Sequence, residues 1–297
     1  MKYICAQPAI KYYAWQIDAM LYSFKDVGVD LKDVHIVLAG AINEEYMRLM
    51  YKYPAVLFSF YEDTREDKAY ISSIRPHVLK KHFANHEWLK NEVIFYHDSD
   101  IALTRKLDID QYLSDNKCYL SDTISYIGYN YIKSKGDDVL QKMLSIVGIE
   151  EETVKLNQEN SGGAQYLIKG IDKQFWEDVE KDCVNLYKDI SALNADKKIA
   201  DPNHHELQIW CADMWAVLWN LWKRNKETAV IKELDFSWAT SSINEWSTKA
   251  IFHNAGVTSD REDLFFKGKY IDTYPDLTLE LSDKFCSYNY YNIIKKL

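Results

Sequence analysis

Strand and helix signals alternate through the first hundred residues, and that alternation narrows the fold of this chain more than any other pattern in it. Residues 3–6 form a short apolar run. Residues 13–27 then place Trp15, Ile17, Leu21 and Phe24 at helical spacing. Residues 34–39 read as a second strand, and Asn43 is a good N-cap for a helix reaching about residue 51. A third strand at 55–61, a helix at 71–83 and a strand at 92–96 complete the series. Repeated β-α-β units of this length imply a parallel, doubly wound sheet, so the expected class is α/β with a mostly parallel central sheet flanked by helices.

Beyond residue 100 the pattern loosens. Strands are expected at 117–120, 167–169 and 251–253, and helices at 137–147 and 173–187. Residues 205–224 form the longest helical candidate, and the Tyr/Asn-rich tail from residue 284 is expected to pack back on the rest. No linker interrupts the chain, so residues 1–297 read as a single domain.

Charge and motifs remove several function classes. With 36 Lys+Arg against 45 Asp+Glu, the net charge is −9, which repels nucleic acid and anionic membrane on average. No run of 18 apolar residues predicts a membrane span, and the N-terminal strand is too short for a signal peptide core. The five cysteines lack metal or redox spacing and suit packed, reduced thiols, so a cytoplasmic protein is expected. No G-x-G-x-x-G follows the first strand, and Walker A and G-x-S-x-G sequences are missing as well.

Chemistry concentrates elsewhere. Val93-Ile94-Phe95-Tyr96-His97-Asp98-Ser99-Asp100 is an apolar strand whose tip carries two carboxylates, expected on the same side with Ser99 opposite. Ligands of open α/β sheets gather at such tips, and paired hard oxygens suit Mg²⁺ or Mn²⁺ carrying a diphosphate; a solvated turn is the plainer alternative. A second strand tip, Ile251-Phe252-His253-Asn254-Ala255-Gly256, offers an imidazole. In Ser161-Gly162-Gly163-Ala164-Gln165, the glycine pair allows close backbone approach to a ligand and Gln165 can reach a sugar hydroxyl, or the glycines simply form a turn before a strand. Lys68, Ser72 and Arg75, around the helix before the aspartate strand, could meet a diphosphate or form surface ion pairs. Asp201 or Asn203 can cap the following helix, whose Trp215, Trp219 and Trp222 make a core stripe. Asp213 is an acid inside that Trp-rich helix, costly to bury unless paired or used.

Taken in order, these pieces resemble glycosyltransferases of the GT-A fold. The Asp98-Ser99-Asp100 strand fits their D-x-D, His253 fits their late metal ligand, and Ser161 to Leu167 fits the segment touching donor sugar and acceptor. Trp210-Cys211-Ala212-Asp213-Met214-Trp215 is similar to a W-x-x-E-M-[YW] stretch of the hydroxyproline arabinosyltransferase and peptidyl-serine galactosyltransferase relatives, with Asp213 in place of Glu. Gln7-Pro8 and Tyr13-Ala14-Trp15-Gln16 are also similar to that group, and the resemblance covers about residues 3–257. It implies a nucleotide-binding half over about 1–100, an acceptor and donor-sugar half over 101–257, and a C-terminal extension over 258–297. It further implies Mn²⁺ or Mg²⁺ on Asp98, Asp100 and His253. Lys68, Ser72, Arg75, Asp98, Gly162, Gly163 and Gln165 would hold a nucleoside diphosphate sugar, expected to be a UDP-sugar. Transfer would go to a hydroxyl acceptor, expected to be a glycan, with retention and with Asp213 and Gln165 as catalytic residues. Two alternatives stand beside it. One is a non-catalytic carbohydrate-binding protein on the same fold. The other is a viral or bacterial enzyme glycosylating hydroxylated DNA bases, against which the net charge weighs.

Overall fold

A computed structural model describes residues 1–297. Ten strands are present: β1 (Lys2–Pro8), β2 (Val34–Ala39), β3 (Leu57–Tyr61), β4 (Val93–Tyr96), β5 (Ile101–Leu103), β6 (Cys118–Asp122), β7 (Gly162–Lys169), β8 (Thr228–Val230), β9 (Phe236–Trp238) and β10 (Ile251–His253). Seven of them form a sheet in the order β3-β2-β1-β4-β7-β6-β8, and β5-β10-β9 form a second, small sheet. The β1/β2, β2/β3 and β6/β8 ladders are parallel, whereas β6/β7 is antiparallel. The expected α/β class with a mostly parallel sheet and flanking helices is therefore what the chain adopts. By contact density the chain divides into two compact units that interleave along the sequence, the first comprising residues 1–61, 96–113 and 232–297 and the second residues 62–95 and 114–231.

In the first unit every residue of β2 is buried, as expected for a strand covered on both faces. Asn43 caps the helix Glu44–Lys52, accepting from Tyr46 N at 3.2 Å while its own amide donates to Ala9 O at 2.8 Å. The core is aromatic: Trp15 from the helix Lys11–Asp26 shares one cluster with Phe252, Phe265, Tyr290 and Tyr291. Trp15 Nε1 is satisfied by Tyr270 O at 3.1 Å. The Tyr/Asn-rich tail forms the helix Cys286–Ile294, which belongs to this core, as the sequence predicts.

The second unit is built on three helices, Ile74–Asn85, Lys173–Ala200 and Ala212–Lys223. Asp172 caps the long one by accepting from Phe175 N at 3.0 Å. Eleven of the twelve residues of Ala212–Lys223 are buried, including Trp215, Trp219 and Trp222, so that stripe is core.

Three local expectations need correction. Residues 205–224 are not one helix: Asp201 ends the preceding helix as its C-cap and turns its carboxylate onto Asn203 N at 2.9 Å, so the chain stays irregular until a short turn at Ile209–Cys211. The preceding helix correspondingly runs to Ala200 rather than 187. Gly162 and Gly163 lie inside β7 instead of forming a turn before it. Finally, β4 stops at Tyr96, and Asp98-Ser99-Asp100 makes the turn into β5, so strand alternation does not orient the two carboxylates. No helix is long and apolar enough to cross a membrane. All five cysteines are free and buried.

Candidate metal centre

The Asp98–Asp100 turn is held from several sides within the first unit. His97 is buried, and burial pushes its imidazole down to about 4. The neutral ring shares a 2.9 Å contact between Nδ1 and Asp98 O. Ser99 Oγ donates to Gln16 Oε1 at 3.2 Å, which ties the turn to the helix Lys11–Asp26. After the turn, β5 runs antiparallel to β10 with Ile101 opposite His253, and Asn254 N donates to Asp100 O at 2.8 Å. This pairing brings residue 253 to the aspartates across about 150 positions of sequence.

β10 also pairs with β9, placing His253 beside Trp238. The two rings lie nearly parallel, 5.9 Å apart with 9° between planes, and Phe236 closes another side at 5.4 Å. The imidazole is therefore fixed in orientation before anything binds. Gly256, with φ of +82°, makes the turn after it in a backbone region that other residues adopt only with strain.

His253 Nε2 lies 3.3 Å from Asp100 Oδ1 and 3.8 Å from Asp98 Oδ2, and one ligand atom from each residue falls within 4.8 Å of the others. Ligands at about 2.1 Å from a shared ion stand roughly 3–4 Å from one another, so both separations from His253 are those of groups that could share a divalent cation. Two carboxylates and one imidazole form a donor set for Mg²⁺ or Mn²⁺.

Lys267 adds a charge that sequence reasoning missed. Its ammonium forms an ion pair and hydrogen bond with Asp100 Oδ2. Burial works against ionisation of Asp100, yet Lys267 and His253 override it and hold the carboxyl well below the usual carboxylate range. Burial likewise opposes the Lys267 charge, and Asp100 reverses the balance and raises the ammonium above its ordinary value. Two further polar atoms of this unit, Asn254 Nδ2 and Tyr290 Oη, are buried without a hydrogen-bond partner. The one sequence hint of Lys267 is a lysine set directly after the apolar pair Phe265-Phe266; Trp238 and Tyr290 carried no hint beyond their aromatic type.

The remaining candidates lie in the second unit. Asp213 and Arg75 meet: Arg75 Nη2 binds Asp213 Oδ2, and the Tyr70 hydroxyl is 2.5 Å from Asp213 Oδ1 and 2.7 Å from Trp210 O. Burial, reinforced by Asp213, raises the Tyr70 phenol far above its usual value, so it remains a donor. Lys68 does not join them; it pairs with Asp63 at 3.2 Å. Ser72 lies in the turn Ile71–Ser73 before the helix Ile74–Asn85. Gln165 is fully buried and accepts from Ser121 Oγ at 2.7 Å.

Around Gly162 and Gly163 the β6/β7 register shifts between Leu120 and Ser121, and Ala164 takes a φ of +67°. A Cβ on Gly162 would come within 2.5 Å of Leu120 Cβ and Ser121 O, and one on Gly163 within 2.5 Å of Met214 Cε. Gly162 is thus required by close packing against backbone, whereas a Cβ on Gly163 would meet the ends of the Met214 and Tyr166 side chains.

No family model matches the chain, and no curated protein matches it. Among solved structures it is similar to the WbbM bifunctional glycosyltransferase, with a TM-score of 0.48 and 10% identity over 86% of this chain and 46% of that one. It is also similar to the galactosyltransferase LgtC in complex with donor and acceptor sugar analogs (TM-score 0.47, 11% identity, 100% and 96% covered). A third is the glycosyltransferase GlyE of Streptococcus pneumoniae TIGR4 (TM-score 0.42, 11% identity, 99% and 60% covered). The chain thus spans less than half the length of WbbM. Likeness at this level assigns no chemistry.

Proposed function

We propose that this protein is a metal-dependent glycosyltransferase of the GT-A fold, moving a sugar from a nucleoside diphosphate sugar to a hydroxyl acceptor. The observation that carries the reading is the meeting of Asp98, Asp100 and His253 at the end of β4 and β10, with ligand atoms within 4.8 Å. A strand tip in an α/β sheet is where a nucleotide would sit, and this donor set is one that carries a diphosphate. When bound, Mn²⁺ or Mg²⁺ supplies neutralisation of charge on the leaving diphosphate.

The protein's own residues would do the rest. Asp98 and Asp100 present their carboxylates, that of Asp100 held by Lys267, and Trp238 keeps the His253 ring facing them. The bond from the anomeric carbon to the diphosphate oxygen breaks, a bond to the acceptor oxygen forms, and the acceptor proton leaves with the diphosphate. Transfer is assigned with retention, with a UDP-sugar as donor and a glycan hydroxyl as acceptor. Asp213 is clamped through both oxygens by Tyr70 and Arg75, an arrangement that suits charge stabilisation of an oxocarbenium-like centre better than proton removal. Gln165 is assigned to the donor sugar, together with the backbone at Gly162 and Gly163. Lys68, Ser72 and Arg75 are assigned to the diphosphate, Arg75 only in exchange for its bond to Asp213.

Calorimetry with UDP and with GDP tests this reading. Saturable binding of one of them is expected in the presence of Mn²⁺ and is expected to disappear when EDTA is added. If neither nucleotide binds with Mn²⁺ present, the proposal fails.

A further inference from the structure

Asp100 is the most buried carboxylate of the cluster, and its second oxygen is already committed to a cation belonging to the chain. Lys267 binds Oδ2 while His253 faces Oδ1 at 3.3 Å. The Lys267 side chain is 29% exposed and that of Asp100 only 7%, so water screens this pair weakly. Phe265 and Tyr270, which flank Lys267 in sequence, stack on each other at 5.5 Å.

Two carboxylates against one ammonium leave the cluster with a single net negative charge. A divalent ion that enters must share Asp100 with the ammonium, and the two cations repel at short range in a poorly screened site. An anion that arrives with the metal removes that penalty, because a nucleoside diphosphate carries enough negative charge for both cations. We propose that Lys267 is a positioning residue that couples metal loading to the anionic ligand, keeping the site weak for the bare ion and strong for the ion with its diphosphate. The proposal rests on reading Asp98, Asp100 and His253 as a divalent site. It adds a direction that the ligand set alone does not have: metal affinity limited from within, by a side chain that is not a ligand.

The test measures free Mn²⁺ by electron paramagnetic resonance while the full chain is titrated, first with Mn²⁺ alone and then with UDP present. Lys267→Met removes the charge at similar length and is expected to bind bare Mn²⁺ at least about tenfold more tightly than the parent. Lys267→Arg keeps the charge and is expected to match the parent. UDP is expected to tighten Mn²⁺ on the parent several-fold beyond its tightening on Lys267→Met. Because Lys267→Met leaves Asp100 without its partner, Lys267→Gln, which retains a donor, provides a second neutral variant if the first does not fold. Equal or weaker Mn²⁺ affinity in the neutral variants overturns the coupling, and the divalent site survives if Asp98→Asn still abolishes their binding. No Mn²⁺ binding in any variant overturns the coupling and the metal reading together.

Discussion

A histidine becomes a useful ligand when its ring is held before the ion arrives, and Trp238 does this for His253 by lying parallel to it. The meeting of Asp98, Asp100 and His253 was foreshadowed in the sequence because they lie at the ends of two short apolar runs that form strands. Lys267 was not legible: 167 positions separate it from Asp100, and only the folded packing of the aromatic core brings them together. Other buried charges in the molecule follow simpler rules. Asp182 is 4% exposed, and burial raises its carboxyl above the usual value against a hydrogen bond from Asn220 Nδ2 at 2.8 Å. A carboxyl raised by folding contributes stability below its unfolded value of about 3.9 and loses it as pH rises through the folded value. Asp182→Asn keeps the acceptor for Asn220 without the charge. It is expected to be more stable than the parent at pH 7. That advantage should shrink as pH falls from 7 towards 4 and the parent carboxyl takes up its proton. Urea unfolding at the two pH values checks this, and a variant less stable at pH 7 would refute it.

Elements were read well where periodicity was clean and poorly where hydrogen bonds to side chains intervened. The strands at 34–39 and 251–253 and the helix at 137–147 have the expected bounds, because apolar spacing alone defines them. The helix expected from residue 205 failed because Asp201 serves the end of the preceding helix instead of the start of the next. β7 hid a different problem, since a strand beginning with two glycines and carrying Ala164 at φ +67° is not suggested by propensity. The β6/β7 irregularity yields opposite expectations for neighbouring substitutions. Gly162→Ala forces a Cβ against Leu120 and Ser121 and is expected to destabilise by about 1–3 kcal/mol. Ala164→Gly relieves a left-handed residue and is expected to stabilise by up to about 1 kcal/mol. Denaturant midpoints of both variants decide the matter; a neutral Gly162→Ala would mean that the bulge yields easily.

At the scale of the molecule, the α/β class was legible from β-α-β repetition, while the sheet order and the antiparallel β6/β7 ladder were not, since nonlocal pairing leaves no local periodicity. The interleaved units were equally hidden: the segments of residues 96–113 and 232–297 join residues 1–61 through the β5/β10 pairing and the aromatic core. That interleaving gives the candidate centre its ligands, because the turn after β4 and the end of β10 belong to one compact unit. The role proposed for this centre is transfer from a nucleotide sugar. Its most direct measurement is hydrolysis of a panel of UDP-, GDP-, ADP- and dTDP-sugars by the purified chain, with Mn²⁺ and with EDTA, alongside Asp98→Asn. Slow release of nucleoside diphosphate from one donor is expected, dependent on Mn²⁺ and lost in the variant. No release from any donor, or release that EDTA and Asp98→Asn leave unchanged, would contradict it.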